Sequence, residues 1–541
     1  MPSIYRFPWG VRENAQVVIL EYSSKSTPLI ASACRDLGVC TLIMHPSTFD
    51  AYSQRYIPKL VILSGGPDSV YDAEAIPIPP RLIYLHLNHG TAIFGICYGA
   101  QALVHAFGGR VERGTHPEIG ITRLSLPRRQ ASLGGYCGGD VVMNHGDEIV
   151  SLPFRWERRG STEQSTFALF KKGNLLGALF HPEMDHTVGG RELFAYVLFT
   201  LARCTQDHIG GEEAFVSGVI AFIHETVQRG GVFAGVSGGV DSVVTLKLLQ
   251  FALGIERVCG IHVDNGFLRE GETEEVRRFL GEEGMIYIDA RVRFWNAIER
   301  IPWNGNVMSA QDTRDYFSQL RKVIGETFVH VFEGAAAGRP GAMFLAQGTN
   351  CSDIQETKTG FVRHHNVGGL PERMELDVIE PLADLYKWEI RLLAAYLGLD
   401  PEIAWRQPSP GPGNALRMWP PVRREYAVML GHANGILEEL IRQHYPDHCD
   451  RPSQYFVGLL PGLRRGLVGD EMVYGAMLGV RAVKTDSREN YATVKGFHFA
   501  PEIWSDIEMR LRAEVRMPNG TPVIGVFSDP SSKPSAGVEW H

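Results

Sequence analysis

Short apolar runs alternate along the first 200 positions with stretches whose apolar residues recur at helical spacing. The runs predict strands at Gln16–Glu21, Cys40–Met44, Lys59–Leu63 and Thr91–Gly95, with helices between them, for example Pro28–Leu37 and Tyr98–Phe107. That alternation is the signature of a parallel α/β sheet covered on both faces. A β-richer stretch follows from Arg110 to Phe180. The pattern breaks near Cys204–Gly211 and restarts with a helical segment, Glu213–Arg229, and a strand, Gly231–Val236. This second α/β region runs to about Trp405. RQPSPGPG, Arg406–Gly413, then suits a rigid loop or linker. The remainder mixes a helix, Arg423–Gln443, with strand-like runs such as Thr521–Phe527. The expected fold is α/β: two parallel-sheet α/β domains, 1–207 and 208–405, and a small α+β domain, 406–541.

Composition narrows the classes. The chain has 541 residues, enough for three or four domains at roughly 150 residues each. Charged residues make up 21% and hydrophobic ones 44%, a globular balance that argues against disorder, collagen or coiled coil. Lys plus Arg number 53 against 61 Asp plus Glu, so the net charge of −8 disfavours bulk nucleic-acid or anionic-membrane binding. No secretory signal stands in Met1–Asn14, and no apolar run is long enough to span a bilayer. The 8 cysteines form no CxxC pair, which disfavours a zinc ribbon and suits reduced thiols in a cytoplasmic enzyme.

Two strand-to-helix turns carry candidate chemistry. Gly95-Ile96-Cys97-Tyr98-Gly99 has the form of a nucleophile elbow with Cys in place of Ser. Its glycines allow a sharp turn, and the following helix N-terminus favours negative charge on the nucleophile. His181, just after the strand-like Leu175–Phe180, can serve as base, and Glu183 can orient it. Ser64-Gly65-Gly66-Pro67 also ends a strand and can offer backbone N–H groups to an oxyanion. A buried structural Cys in a tight turn is the alternative reading of the elbow alone. With GICYGAQ, LSGGP and HPEMDHT together, residues 15–205 resemble the class I glutamine amidotransferases. The resemblance implies hydrolysis of glutamine through a cysteinyl thioester. Cys97 would be nucleophile, His181 base and Glu183 orienter. The amides of Gly66 and Tyr98 would bind the oxyanion, and Gln101 with Asn144, His145, Gly146 and Asp147 would contact glutamine.

The second turn is Val236-Ser237-Gly238-Gly239-Val240-Asp241-Ser242, between a strand and the helical Val243–Phe251. Its glycines let N–H groups converge on a phosphate above a helix N-terminus. It lacks a Walker A pattern. Gly235–Gly239 formally fits G-x-S-x-G, but the Asp241-Ser242 pair favours phosphate and Mg²⁺ over acyl chemistry. SGGVDS resembles the PP-loop of ATP pyrophosphatases. That resemblance implies ATP as cosubstrate, with Mg²⁺, held at Ser237, Gly238, Gly239, Val240, Asp241, Ser242, Val263 and Gly348. It further implies Asp241 on the metal and Lys387 on the departing pyrophosphate. The adjacent His364-His365 have no partners at zinc spacing and suit a nucleotide or loop contact. Amidotransferase followed by PP-loop, with HHNVGGLPE and PGPG in this order, resembles the glutamine-hydrolysing GMP synthase family over nearly the whole chain. The resemblance implies a cytoplasmic homodimeric ligase acting on glutamine, ATP and xanthosine monophosphate (XMP). Lys533 and Glu539 would hold the purine nucleotide, and domain closure would link the two sites.

Departures from the family pattern gather toward the C-terminus. Asp-Phe-Gly-Ser-Gln becomes Glu21-Tyr22-Ser23-Ser24-Lys25. Pro-Phe-Pro-Gly-Pro-Gly-Leu becomes Pro408–Asn414. Two family arginines become Leu463 and Met472, an Asn becomes Ala513, and the chain ends in His541. Two readings stay open. One is drift within a GMP-forming enzyme. The other is a paralogue that aminates the 6-position of XMP to give isoguanosine monophosphate, as nucleoside-antibiotic biosynthesis would require. A binder without activity on the same scaffold would need both active sites to be silent, and a sulfur-transferring PP-loop enzyme would leave the ammonia source unexplained.

Overall fold

The computed structural model describes residues 15–531, apart from 25, 128–132, 185, 207–210, 308, 338–340, 351–352, 354–376, 384, 386, 408–410 and 485–494. The chain divides into two compact units, Met1–Gly218 and Val219–His541.

The first unit is organised by strands with no polar face. β1 (Val17–Leu20) and β3 (Leu60–Leu63) are buried at every residue. Val17, Ile19, Leu60 and Ile62 enter one core, while Val18, Leu20, Val61 and Leu63 enter another. Side chains two apart share a face, so the sheet is covered on both sides, as the apolar runs require. β2 (Thr41–Met44), β1, β3, β4 (Ala92–Ile96) and β9 (Leu175–Ala178) are parallel neighbours. β8 (Leu169–Lys172) and β7 (Glu157–Gly160) extend this seven-stranded sheet in antiparallel register. β5 (Arg110–Leu124) and β6 (Gly139–Ser151) form a separate antiparallel ribbon. The strands begin and end within a residue or two of expectation.

The second unit carries a wholly parallel five-stranded sheet, ordered β12 (Met285–Asp289), β11 (Val258–Asp264), β10 (Gly231–Gly235), β13 (Ala342–Ala346), β14 (Asp377–Ile379). A second sheet pairs β15 (Gln454–Val468) with β16 (Glu471–Lys484), with β17 (Lys495–Gly496) and β18 (Val523–Asp529) also on β16. The division expected at 405/406 separates these two sheets, yet one core joins them. Phe233, Ile261 and Leu345 cluster with Leu430 and Leu437 of the helix Arg424–His444 and with Val457 and Leu478. The 28-residue helix Ala310–Ala337 was not expected; its buried positions Tyr316, Leu320 and Ile324 recur at helical spacing. Among the described residues, no helix is long and apolar enough to cross a membrane.

Asn434 ties the long C-terminal helix to β15. Its Nδ2 donates to Leu430 O (2.8 Å) and Val457 O (3.0 Å), and its Oδ1 accepts from Val457 N (2.8 Å). The side chain is 3% exposed. Asn434→Ala strands a buried N–H and a buried carbonyl, at a cost of about 2–4 kcal/mol. Denaturant titration of the full chain checks this; a loss below about 0.5 kcal/mol, the level of a surface substitution, would contradict the bridging role.

Candidate active sites

β4 turns directly into the helix Tyr98–Ala106, and Cys97 is the joint, with φ +52° and ψ −111°. Positive φ is uncommon outside glycine. The surroundings hold it: Cys97 N–H donates to Ala178 O (2.8 Å) and Gly99 N–H to Ser64 O (3.1 Å). The motif glycines serve packing. A Cβ on Gly95 would lie 2.6 Å from Gly99 O, and one on Gly99 would strike Leu63. Cys97 is 5% exposed.

β9 delivers the partner. His181 N–H donates to Val142 O (2.9 Å), fixing the backbone between sheet and ribbon. Its Nδ1 lies 2.8 Å from Glu183 Oε1, and Cys97 is near enough to act on its charge. Burial pushes the imidazole down, but the Glu183 carboxylate and the neighbouring Cys97 outweigh it and hold His181 well above the usual histidine range. Sequence reasoning missed a fourth member. Ser26 Oγ donates to the same Glu183 Oε1 at 2.5 Å, and Ser26 is buried. Only the fold brings positions 26 and 183 together, so no spacing rule could have found it. A Cβ on Gly65 would lie 3.3 Å from His181 Cε1, and one on Gly66 would strike Tyr22 O, so the turn lies against the triad and Gly66 tolerates no side chain.

The ribbon supplies the next layer. Cys97 Sγ lies 3.5 Å from Asn144 O, and Gln101 Nε2 donates to Asp147 O (3.0 Å). His145 Nδ1 also bonds to Asp147 O (2.9 Å). Burial holds His145 below its ordinary range despite Glu118 nearby. Glu118 is itself buried and accepts from Ser165 Oγ (2.7 Å); nothing in the pattern of β5 marked it out. Gly146 faces open space. Cys97 thus meets Asn144, His181 meets Glu183, and Gln101 and His145 meet on Asp147, with Gly66 packed against Tyr98.

In the second unit, β10 turns at Val236–Gly239 into the helix Val240–Leu253. Gly238 has φ +83°, open to glycine without strain. Ser237 Oγ lies 3.2 Å from Ser242 Oγ and accepts from Gly239 N–H (3.3 Å), while Ser242 Oγ donates to Gly239 O (2.9 Å). Lys387, opening the helix Lys387–Tyr396, is bonded to Asp241 Oδ2. Asp241 Oδ1 is buried and accepts no hydrogen bond among the described residues. Gly348, after β13, packs on this helix start; a Cβ there would lie 2.8 Å from Ser242 N. Val263 is buried in β11. Next door, Thr349 Oγ1 donates to Glu380 Oε1 (2.5 Å), and burial raises the Glu380 carboxyl above its ordinary range. The structure therefore gathers Lys387, Asp241, Ser242 and Gly348 at one helix N-terminus.

A Mg²⁺ ion brought in on ATP phosphates fits this site in one respect: Asp241 Oδ1 is an unclaimed carboxylate oxygen. No group of three or more His, Cys, Asp or Glu side chains is poised for a metal among the described residues. Lys533, Glu539 and His364–Glu372 lie outside the described residues. Leu463 and Met472 are each 58% exposed on the β15–β16 hairpin, and Arg464 stacks on Phe527.

The class I glutamine amidotransferase family matches residues 18–201. Over 98% of its length the chain is similar to GMP synthase [glutamine-hydrolyzing] of Bacillus cereus, at 35% identity and covering 100% of that protein. The enzymes of the same name from Bacillus anthracis and Bacillus thuringiensis are each 34% identical over 98% of this chain, with 100% and 99% of their own lengths covered. Similarity at this level runs through both the Cys97 network and the Asp241 helix start, and it places the chain in the glutamine-hydrolysing GMP synthase family, ATP-dependent ligases that carry a glutamine amidotransferase domain.

Proposed function

We propose that this chain adenylates a carbonyl oxygen of XMP with ATP and replaces it with nitrogen from glutamine, giving GMP, AMP, pyrophosphate and glutamate. The carrying observation is the buried pair His181–Glu183, 2.8 Å apart, beside Cys97 where a parallel strand meets its helix. Cys97 attacks the glutamine amide carbon. The N–H groups of Gly66 and Tyr98 are assigned to the oxyanion, and Gln101 and Asn144–Asp147 to the substrate. His181, as imidazolium, protonates the leaving nitrogen; ammonia departs, and water then hydrolyses the thioester to glutamate. Neutral ammonia is scarce at neutral pH, so local release gives the second reaction its nucleophile.

In the second unit the loop Ser237–Ser242, with Val263 and Gly348, is assigned to ATP. Lys387 is assigned to charge on the departing pyrophosphate, and Lys533 and Glu539 to the purine nucleotide. Mg²⁺, when bound, would neutralise phosphate charge, and Asp241 is the side chain assigned to hold it. Ammonia adds to the activated purine carbon and AMP leaves with the oxygen. The resemblance also supports a cytoplasmic homodimer. The exposed apolar residues Leu463, Leu467, Met472 and Tyr474 on one hairpin suit a covered face.

A second product is favoured by one observation. Leu463 and Met472 depart from the arginines of the family pattern that the chain resembles, and both are largely exposed, so core packing does not account for them. Altered polar contacts to a base change selectivity strongly. Amination at the 6-position, giving isoguanosine monophosphate, is that reading.

Three outcomes test these assignments. With XMP, ATP, Mg²⁺ and amide-¹⁵N glutamine, the label is expected on the 2-amino group; label at the 6-position selects the second product, and no labelled nucleotide overturns both. Cys97→Ala should reduce glutamine-dependent product formation on the order of a thousandfold while activity with added ammonium persists; equal loss of both would reject the nucleophile. Glu183→Gln removes the charge that lifts His181, so burial prevails and the imidazolium is lost at lower pH. The basic limb of the glutamine-dependent rate should fall by at least about one pH unit, and an unmoved limb would reject the pairing.

A further inference from the structure

We propose that Arg406 is a positioning residue for the phosphate loop, setting the peptide between Gly238 and Gly239 so that its N–H, not its carbonyl, faces the bound phosphate. The inference rests on the assignment of ATP to this loop. Arg406 Nη1 donates to Gly238 O at 3.0 Å. In a trans peptide the carbonyl and the following N–H point in opposite directions. Holding Gly238 O on one side therefore turns Gly239 N–H to the other, toward Ser237 Oγ at 3.3 Å, a long bond that a phosphate oxygen can replace. The opposite orientation would aim a carbonyl dipole at an anion. Gly238, at φ +83°, can sample both orientations without steric cost, so the loop needs an external lock. Space is also shaped for it: a Cβ on Gly238 would strike Arg406 Nη1 and Val276.

The lock is itself held rigidly. Arg406 Nη2 lies 3.2 Å from Glu272 Oε1 and 2.9 Å from Glu275 Oε2, both on the helix Glu272–Leu280. Its side chain is 3% exposed and that of Glu272 1%. Burial alone would push the Glu272 carboxyl up; Arg269 and Arg406 outweigh it and hold it down at about 2. Glu275 also pairs with Arg442 (2.7 Å), and Arg269 pairs with Glu438, which Arg442 binds at 2.9 Å. Tyr455 Oη of β15 donates to Glu438 (3.0 Å). The phosphate loop is thereby pinned to the C-terminal sheet through a chain of fixed charges. Lysine cannot reproduce the planar fork that serves a carbonyl and two carboxylates at once.

The experiment is ATP–Mg²⁺ binding to the full-length chain by equilibrium dialysis, together with the KM for ATP in ammonium-dependent pyrophosphate release. Arg406→Lys should weaken ATP binding and raise that KM by about tenfold or more, the loss of one charge-assisted hydrogen bond, with kcat within about threefold. A folded Arg406→Lys chain whose ATP affinity is within about twofold of wild type overturns the inference, since a merely structural role lowers thermal stability without moving KM. If Arg406→Lys does not fold, Glu275→Gln, which loosens the guanidinium while leaving Glu272 in place, should raise the KM about threefold; an unchanged KM is again fatal. Failure of the wild-type chain to bind ATP would overturn the ATP assignment itself, and this inference with it.

Discussion

Both candidate sites depend on one backbone constraint: a short turn from a parallel strand into a helix. Cys97 is the single residue between strand and helix in one unit, and Val236–Gly239 are the four between them in the other. In each turn one residue takes positive φ, Cys97 at +52° and Gly238 at +83°. Strain at Cys97 persists because the surroundings over-determine it. Ala178 O and Ser64 O fix the flanking N–H groups, and Gly95 and Gly99 allow strand and helix to meet backbone to backbone. The same geometry places the side chain or amides of the turn above a helix N-terminus, where negative charge is favoured.

What differs is how each joint is secured. At Cys97 the support is a neutral backbone frame and one buried carboxylate, Glu183, whose Oε1 receives both His181 and Ser26 while Oε2 accepts no hydrogen bond among the described residues. At Gly238 the support is ionic. Arg406 and Glu272 are buried, Glu275 is half-buried, and Arg406 pairs with both. Such pairs are costly to desolvate and gain little net stability, so their use beside a flexible glycine points to geometry as their contribution. The charged chain from Arg406 through Glu275, Arg442 and Glu438 to Tyr455 ends on the C-terminal sheet.

The sequence by itself determined the succession of strands and the two turns. Apolar runs alternating with helical stretches read as parallel strands because the crossover helices cover both faces of a parallel sheet. The elbow at Cys97, the His181-Glu183 pair and the loop Ser237–Ser242 were legible because each depends on residues adjacent in sequence. Tertiary structure alone decided what depends on distant partners. Ser26 reaches Glu183 across 157 positions, Lys387 reaches Asp241 across 146, and Arg406 reaches Gly238 across 168. The burial of Glu118 and the single core shared across residue 405 belong to the same class. Local pattern reports which groups a segment can offer; only the packing of segments far apart in the chain fixes which hydrogen bond each buried charge receives.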